Sequence, residues 1–447
     1  MDNLYYTKNH INIQDYNLRI LSTTTEFIKN IKTVIFNCEL VDENIISCPD
    51  CGSVSIKIKD YYVRKIKYVE CFGLPSIIKI RQKRFICKDC HKTFNLSPNI
   101  VNKGSSISIP LKMKILQESK EKQSFKYISN KLGVSITSSI SLFSNSIDVS
   151  RNTLTEIICI DEFKANTNQG KFAFILGDPL SGDILDILPS RKQEYIYSYF
   201  NQIPKEERFS VKYVVSDMFE SYRTVVRELF VNAIHIADRF HWIRCATESF
   251  NRLRITTMKY YIKKAETTKD IDERRELNLY AKLMKNYYKL LLANKYRKED
   301  IYFNTEIYVP SFKKNCTRQE IIEFIINSDP ELEEGYILLQ NLYKLSVLTN
   351  YDNFNDNMNE WINSARESKI KEFEKTLVTY RSWFKEIRNS FIVHPITNKM
   401  LSNGYMEGKN NLCKAIKRVG FGYKNFKLLR NRIMLISNNK TILKNEE

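Results

Sequence analysis

A chain of 447 residues exceeds one ordinary domain, and 43% hydrophobic residues are enough for real cores, which excludes a disordered protein. No run of about 18 apolar residues is present, and the start Met1-Asp2-Asn3-Leu4-Tyr5-Tyr6 lacks the basic-then-apolar pattern of a secretory leader, so a cytoplasmic location is expected. The formal net charge of +19, from 70 Lys+Arg against 51 Asp+Glu, makes a field that attracts polyanions, nucleic acid above all.

That charge is concentrated rather than spread evenly for solubility. From Lys57 to Lys92 there are 11 basic residues against three acids, and from Glu407 to Arg432 eight basic residues against Glu407 alone. Lys79, Arg81, Lys83 and Arg84 in the first stretch, and Lys409, Lys414, Lys417, Arg418 and Lys424 in the second, are the candidate DNA contacts.

Residues 1–45 form an N-terminal segment without a motif. In 46–103, Cys48-Pro49-Asp50-Cys51 and Cys87-Lys88-Asp89-Cys90 are two metal knuckles. Two residues between cysteines let both thiolates of a tight turn face one ion, and two knuckles close a tetrahedral structural Zn²⁺ site. His91 is the alternative to Cys90 as fourth ligand. Between the knuckles, Ile78-Lys79-Ile80-Arg81-Gln82-Lys83 alternates as a strand does, so the segment is expected to be a zinc ribbon. The other six of the ten cysteines are scattered, as buried thiols are.

In 104–150, Phe125, Ile128 and Leu132 mark the apolar stripe of a short helix. Gly133 supplies a turn, and Ser135 can cap a second helix carrying Ile136, Ile140 and Phe143. The pattern fits a DNA-binding helix-turn-helix, and equally an ordinary helical hairpin.

Within 151–250 one grammar repeats. Ile157–Ile160 runs into Asp161, Tyr213–Ser216 into Asp217, and Ala233–Ala237 into Asp238. Each is a short apolar run consistent with a buried strand that ends in a carboxylate. Between the first two, Phe172–Leu176 and Ile184–Leu188 flank the turn-rich 177–183, a hairpin. The result is an α/β sheet of mixed direction, with its acids at the carboxyl ends of strands, where ligands collect. Grouped carboxylates repel, and a shared divalent cation removes the conflict. Each Asp alone could instead cap the helix that follows it.

From about 251 to 395 the pattern is helical. Ile370, Phe373, Leu377, Tyr380, Phe384, Ile387 and Phe391 make a heptad-like seam, packing within the subunit or joining two, with Pro395 as its stop. The last segment, 396–440, holds Glu407, a lone acid in a basic, aromatic stretch. It could pair with a lysine or serve a metal site that faces DNA.

Taken in order, Cys48-x2-Cys51 with Cys87-x2-Cys90, Ile160-Asp161-Glu162-Phe163, Val215-Ser216-Asp217-Met218, Ala237-Asp238-Arg239-Phe240-His241, and Ser402–Asn411 followed by Gly422-Tyr423-Lys424-Asn425-Phe426 resemble the DDE transposases of bacterial insertion sequences of the ISL-three type. The resemblance covers nearly the whole chain. It implies a multidomain protein: an α/β RNase H-like catalytic core (mixed sheet, 151–250), interrupted by an all-α insertion (251–395), closed by a final helical part (396–440), and preceded by the zinc ribbon and helix-turn-helix. It implies Asp161, Asp217 and Glu407 as ligands of catalytic Mg²⁺ or Mn²⁺, with Asp238 and His241 as supporting residues. It implies double-stranded DNA as partner, both terminal inverted repeats and target, with a homodimer or larger assembly in the active complex. The expected chemistry is strand cleavage and strand transfer. The competing readings are a non-catalytic DNA-binding regulator or inactive relic, and a nuclease that cuts without joining.

Overall fold

A computed structural model describes residues 15, 17–41, 46–420, 423 and 425–438; Lys424 lies outside them. The chain divides into two compact units, Met1–Ser150 with Leu412–Glu447, and Arg151–Asn411. The sequence reading places 396–440 together at the end of the core, whereas from Leu412 onward the chain groups with the first unit.

The first unit is built on a sheet. Strands β1 (Leu18–Ile28) and β2 (Ile31–Leu40) form a hairpin closed by Lys29 and Asn30, both at positive φ (51° and 63°), the two-residue turn that suits strand twist. Strands β3 (Ile56–Cys71) and β4 (Leu74–Cys87) form a longer hairpin, β2 runs parallel to β4, and β5 (Thr93–Asn95) pairs with β4. The path is β1-β2-β4-β3. The alternation read in β4 holds: Ile78, Ile80 and Gln82 are buried, Arg81 is exposed. Ile78 and Ile80 pack with Leu18, Phe36, Ile66 and Tyr68. Residues 18–40 are therefore part of the same sheet as the ribbon; the apolar Val34-Ile35-Phe36 was the signal for it.

Three helices follow, Ile109–Glu118, Phe125–Lys131 and Ile136–Ser146, with Ser108, Ser124 and Ser135 each accepting a backbone N–H as N-cap. Gly133 turns the chain at φ 65°. Phe125, Ile128, Leu132 and Phe143 are buried, but Ile136 is exposed. The third helix turns Ser139 inward instead, where its hydroxyl meets Ser129 at 2.9 Å, a close approach that small side chains permit. The helix Phe426–Asn438 explains the grouping of the C-terminal residues: Arg432 is fully buried, donates to the Glu121 and Gln123 carbonyls (2.9 and 2.5 Å), and stacks over Phe125 at 4.7 Å.

The second unit holds a five-stranded mixed sheet of β6 (Ile157–Thr167), β7 (Gly170–Gly177), β8 (Ile184–Leu188), β9 (Tyr213–Ser216) and β10 (Ile234–Ala237), in the order β10-β9-β6-β7-β8. The β6-β7-β8 part is antiparallel and includes the expected hairpin; β6, β9 and β10 are parallel. Ile158, Ile160, Phe174 and Leu176 pack against Ile196 and Phe200 of the helix Gln193–Asn201 and against Tyr222, Val225, Val226 and Leu229 of the helix Glu220–Leu229. Cys159 and Asp161 alternate to the opposite face.

The helix Arg239–Thr267, 29 residues long, opens the helical region. That region is not all-α: Glu306–Val309 and Lys314–Thr317 form a two-stranded hairpin. Nor is the heptad-like seam one helix. It runs through a 3-10 turn (Lys371–Phe373) and the helices Glu374–Ser382 and Phe384–Asn389, with Trp383 at φ −104° and ψ 20° breaking the α-helical path. The last helix stops at Asn389, well before Pro395. Ile370, Phe373, Leu377, Tyr380, Ile387 and Phe391 join one core with Trp242, Phe250 and Leu253 of the long helix. A spacing of three and four reports one buried side, which turns as well as helices can supply. Among the described residues, no helix is long and apolar enough to cross a membrane.

Candidate metal and carboxylate sites

Strand register brings the three aspartates together. Cys159 on β6 and Ile236 on β10 both pair with Val215 on β9. Two residues on from that level stand Asp161, within β6, and Asp217 and Asp238, each one residue past the end of its strand, so the three acids gather at the carboxyl end of the parallel pairing among three adjacent strands. Asp161 is not at a strand end, since β6 continues to Thr167 beside β7; it stands where the parallel pairing stops.

Helix capping accounts for none of them. Asp161 lies within a strand, Phe219 is the N-cap after Asp217, and Asp238 occupies an N-cap position without a side-chain cap bond. Asp238 is buried and accepts the Asn403 backbone N–H at 2.9 Å. Asn403 also donates its side-chain amide to the Ile160 carbonyl at 3.1 Å. These two bonds tie the residue before the helix Gly404–Val419 to the aspartate row.

That helix brings further groups. The side-chain amide of Asn410 donates to Asp161 Oδ2 at 2.8 Å, while the Glu162 N–H donates to Oδ1 at 2.8 Å. Burial raises the Asp161 carboxyl above its ordinary value, although the Glu162 amide and nearby His241 pull the other way. Asp217 is pushed up to about 7, first by burial and then by the charges of Glu162 and Asp161; its Oδ1 is buried without a hydrogen-bond partner. Glu162 is held by the Tyr222 hydroxyl, which donates at 2.9 Å, and by an ion pair with Arg191, whose guanidinium lies over Phe172 (4.6 Å) and Phe219 (5.0 Å).

Glu407 is exposed and precedes Asn410 by three residues, so both share one side of the helix. Glu407 forms no group of three with the aspartates whose ligand atoms all lie within 4.8 Å of one another. Among the described residues, the four cysteines are the one group of three or more whose ligand atoms lie within 4.8 Å of one another. Glu162, Arg191, Asn403 and Asn410 received no role from sequence. Asn403 and Asn410 flank Glu407 in a segment the motif had already marked, which was the available signal.

Gly177, at the end of β7, permits the late helix its approach. A β-carbon there would lie 2.9 Å from Met406 Sδ and closer still to the Tyr405 hydroxyl. Gly177→Ala is expected to displace the first turn of that helix and to cost about 1–3 kcal/mol by overpacking. The check is thermal denaturation, with limited proteolysis between Leu401 and Glu407; unchanged melting and cutting would refute the close approach.

The four thiols form a second site. Cys48 Sγ stands 3.5 Å from Cys90 Sγ, and Cys51 Sγ 3.6 Å from Cys87 Sγ. Zn–S bonds of about 2.3 Å in a tetrahedron put sulfurs about 3.8 Å apart, so the cage fits that ion. The Cys51 amide holds the Cys48 thiol below its ordinary value, and the Cys90 amide lowers Cys87 to about 7. Against its own donor, the Lys92 amide, Cys90 is pushed up to about 12 by the neighbouring thiols, a crowding that a cation relieves. His91 belongs to the turn after the knuckle, at φ 61°, and is not among the four ligands.

The candidate DNA contacts are unevenly available. Lys79 is paired with Glu26 at 2.7 Å and Arg84 with Asp60 at 3.2 Å. Arg81 is exposed over the Tyr61 ring, 4.6 Å from its centre, and Lys83 is half-buried. On the late helix Lys414 and Arg418 are exposed, Lys409 and Lys417 half-buried.

The DDE transposase profile of the ISL-three type, described as "Transposase", matches residues 158–433. A second profile, the zinc-finger of transposase IS204/IS1001/IS1096/IS1165, matches residues 46–90. The chain is 20% identical over 389 residues to the transposase for insertion sequence element IS1001 of Bordetella parapertussis, covering 85% of this chain and 86% of that one. A shorter similarity, 26% over 134 residues, is to a protein named ATP-dependent protease of Lactococcus lactis subsp. lactis; it covers 29% of this chain and 40% of that one.

Proposed function

The chain belongs to the ISL-three family of insertion-sequence transposases, and from that premise we propose that Asp161, Asp217 and Glu407 are the carboxylates that cut and join DNA, on a core of the RNase H-like kind. The observation that carries this reading is the buried, unpartnered Oδ1 of Asp217 beside Asp161 and Glu162. An acceptor stripped of water and crowded by other acids is unfavourable unless a cation shares it. Mg²⁺ or Mn²⁺ bound there would supply charge stabilisation at the attacking and leaving oxygens of a phosphodiester.

The chain's own groups do the rest. Asn410 and the Glu162 amide fix both oxygens of Asp161, which sets its carboxylate plane. Asp238 acts as a positioning residue, because its bond to Asn403 places the segment that leads to Glu407. Glu407 would complete the set by turning its exposed side chain toward the row, since Asn410 already holds the same helix against Asp161. His241 supports the same row through its field on Asp161. Recognition of element ends falls to the zinc ribbon, with Zn²⁺ in the four-cysteine cage, and to the helices Phe125–Lys131 and Ile136–Ser146 as a helix-turn-helix. Arg81, Lys414 and Arg418 serve phosphates directly; Lys83 is a further contact, and Lys79 and Arg84 serve after leaving Glu26 and Asp60. Two element ends held in one complex call for a homodimer or larger assembly.

A strand-transfer reaction tests the proposal. Purified protein, Mg²⁺ or Mn²⁺, and a plasmid carrying the gene with its flanking DNA should yield free 3′-OH ends and joined products. Glu407→Gln should lose both while retaining DNA binding. Cutting without joining would establish a nuclease instead, and binding with neither would establish a regulator or relic.

A further inference from the structure

We propose that the end of the first unit's sheet opposite the cysteine cage is a wedge for duplex DNA, with Phe72 as the side chain that inserts between base pairs. The β3–β4 hairpin closes on Phe72 and Gly73, at φ 50° and 73°. A bulky residue at positive φ is strained, and Asn or Gly would occupy such a turn without that cost. Phe72 is also 97% exposed, so among the described residues no contact compensates. Strain held together with exposure at one residue points to a use.

The neighbouring hairpin ends beside it. Val34 pairs with Ser76, and Ile31 and Gly73 each lie three residues earlier on parallel strands, so both turns share one end of the sheet. The β1–β2 turn there presents Phe27 (76% exposed) and Ile31 (51% exposed). At the far end of the same ribbon, Cys87 pairs with Ile56 beside the metal cage.

Charge selects the partner. Lys29 and Lys32 are exposed at the tip. Lys29 is close enough to Lys67 to add to the lowering that burial imposes on it. Of the acids nearby, Glu26 is paired with Lys79 at 2.7 Å, and Glu70 lies close enough to Lys131 for its charge to be felt there. Apolar side chains framed by lysines that have no ion pair among the described residues suit a minor groove, where such wedges unstack a base step while cations hold phosphates. A greasy or basic protein surface would leave those lysines opposed.

Location gives the tip a reason to touch DNA. Lys67 Nζ donates to the Gly133 carbonyl at 2.7 Å, and a β-carbon on Gly133 would lie 3.1 Å from Pro75 Cβ. The turn between the two helices therefore rests on the base of this hairpin. The helix Ile136–Ser146 contains no Lys or Arg, so a duplex lying along it needs cations from elsewhere, and the tip supplies them.

The test is Phe72→Asn in the full chain, since Asn accepts positive φ and should keep or raise the melting temperature. Duplexes of about 40 base pairs and mixed sequence, with 2-aminopurine at pyrimidine–purine steps, serve as the probe. Wild type and Phe72→Trp should brighten the aminopurine on binding. Phe72→Asn should lose that signal and bind about tenfold more weakly by anisotropy. Equal affinity and equal brightening in Phe72→Asn would overturn the wedge. So would unchanged DNA binding with an altered sedimentation coefficient, which would make the tip a contact between copies of the chain. Binding and unstacking need no catalysis, so failure here is separable from failure of the carboxylate assignment.

Discussion

Asp217→Asn protein is expected to bind DNA as the wild type does and to lose at least about 10³-fold in strand-cleavage rate, about 4 kcal/mol of transition-state stabilisation. The amide keeps the shape of the carboxylate but removes the charge that a divalent ion needs. The same variant should be the more stable protein when no divalent ion is added. Asp217 is raised to about 7 by burial and by Glu162 and Asp161, whereas an unfolded aspartate titrates near about 3.9. Between those values the folded protein holds a proton that the unfolded chain has released, so stability falls as pH rises from about 4 through about 7. Asn carries no such penalty. Melting curves without added Mg²⁺ should therefore coincide near pH 4 and separate above pH 7, the variant melting a few degrees higher. A separation that does not depend on pH would mean that Asp217 is an ordinary solvated carboxylate, and the site would lose its main support.

Removing zinc has the second large effect. Binding of a structural Zn²⁺ by four thiolates is worth about 10–16 kcal/mol in small domains, and much of that is folding energy. The Cys48→Ser protein lacks one corner of the cage, and Cys90, 3.5 Å away, loses its neighbour. The variant should contain no zinc by atomic absorption and fail to shift DNA in a gel. The β6–β10 sheet has its own core of Ile158, Ile160, Phe174 and Tyr222 and should keep its melting transition. A Cys48→Ser protein with full zinc content would exclude the four-thiol cage; a His91→Ala protein is expected to keep its metal, because His91 is outside the ligand group.

Short-range chemistry was legible in the sequence. The C-x2-C pairs announced the cage because a knuckle is a local turn. The apolar runs before Asp161 and Asp217 announced strands because burial on both faces needs apolar residues throughout, and the run before Asp238 did so although Ile234 of its strand is exposed. Ser135 and Gly133 announced a cap and a turn for the same local reason, and both act so. The heptad-like spacing from Ile370 to Phe391 showed a buried side but not the break at Trp383, since periodicity records which residues face inward and not whether the backbone is continuous.

What the sequence alone determined, then, is the kind of group present: two knuckles, three acids after apolar runs, and a basic tail with a lone Glu407. Tertiary structure decided which of them meet. The parallel register of β6, β9 and β10 sets Asp161, Asp217 and Asp238 in one row, and no spacing along the chain encodes that pairing. Asn403 and Asn410 reach the row from 165 and 249 positions away by hydrogen bonds to Asp238 and Asp161. The raised carboxyl of Asp217 exists only because folding removes water and gathers like charges around it, an effect of three-dimensional proximity that a linear pattern does not contain.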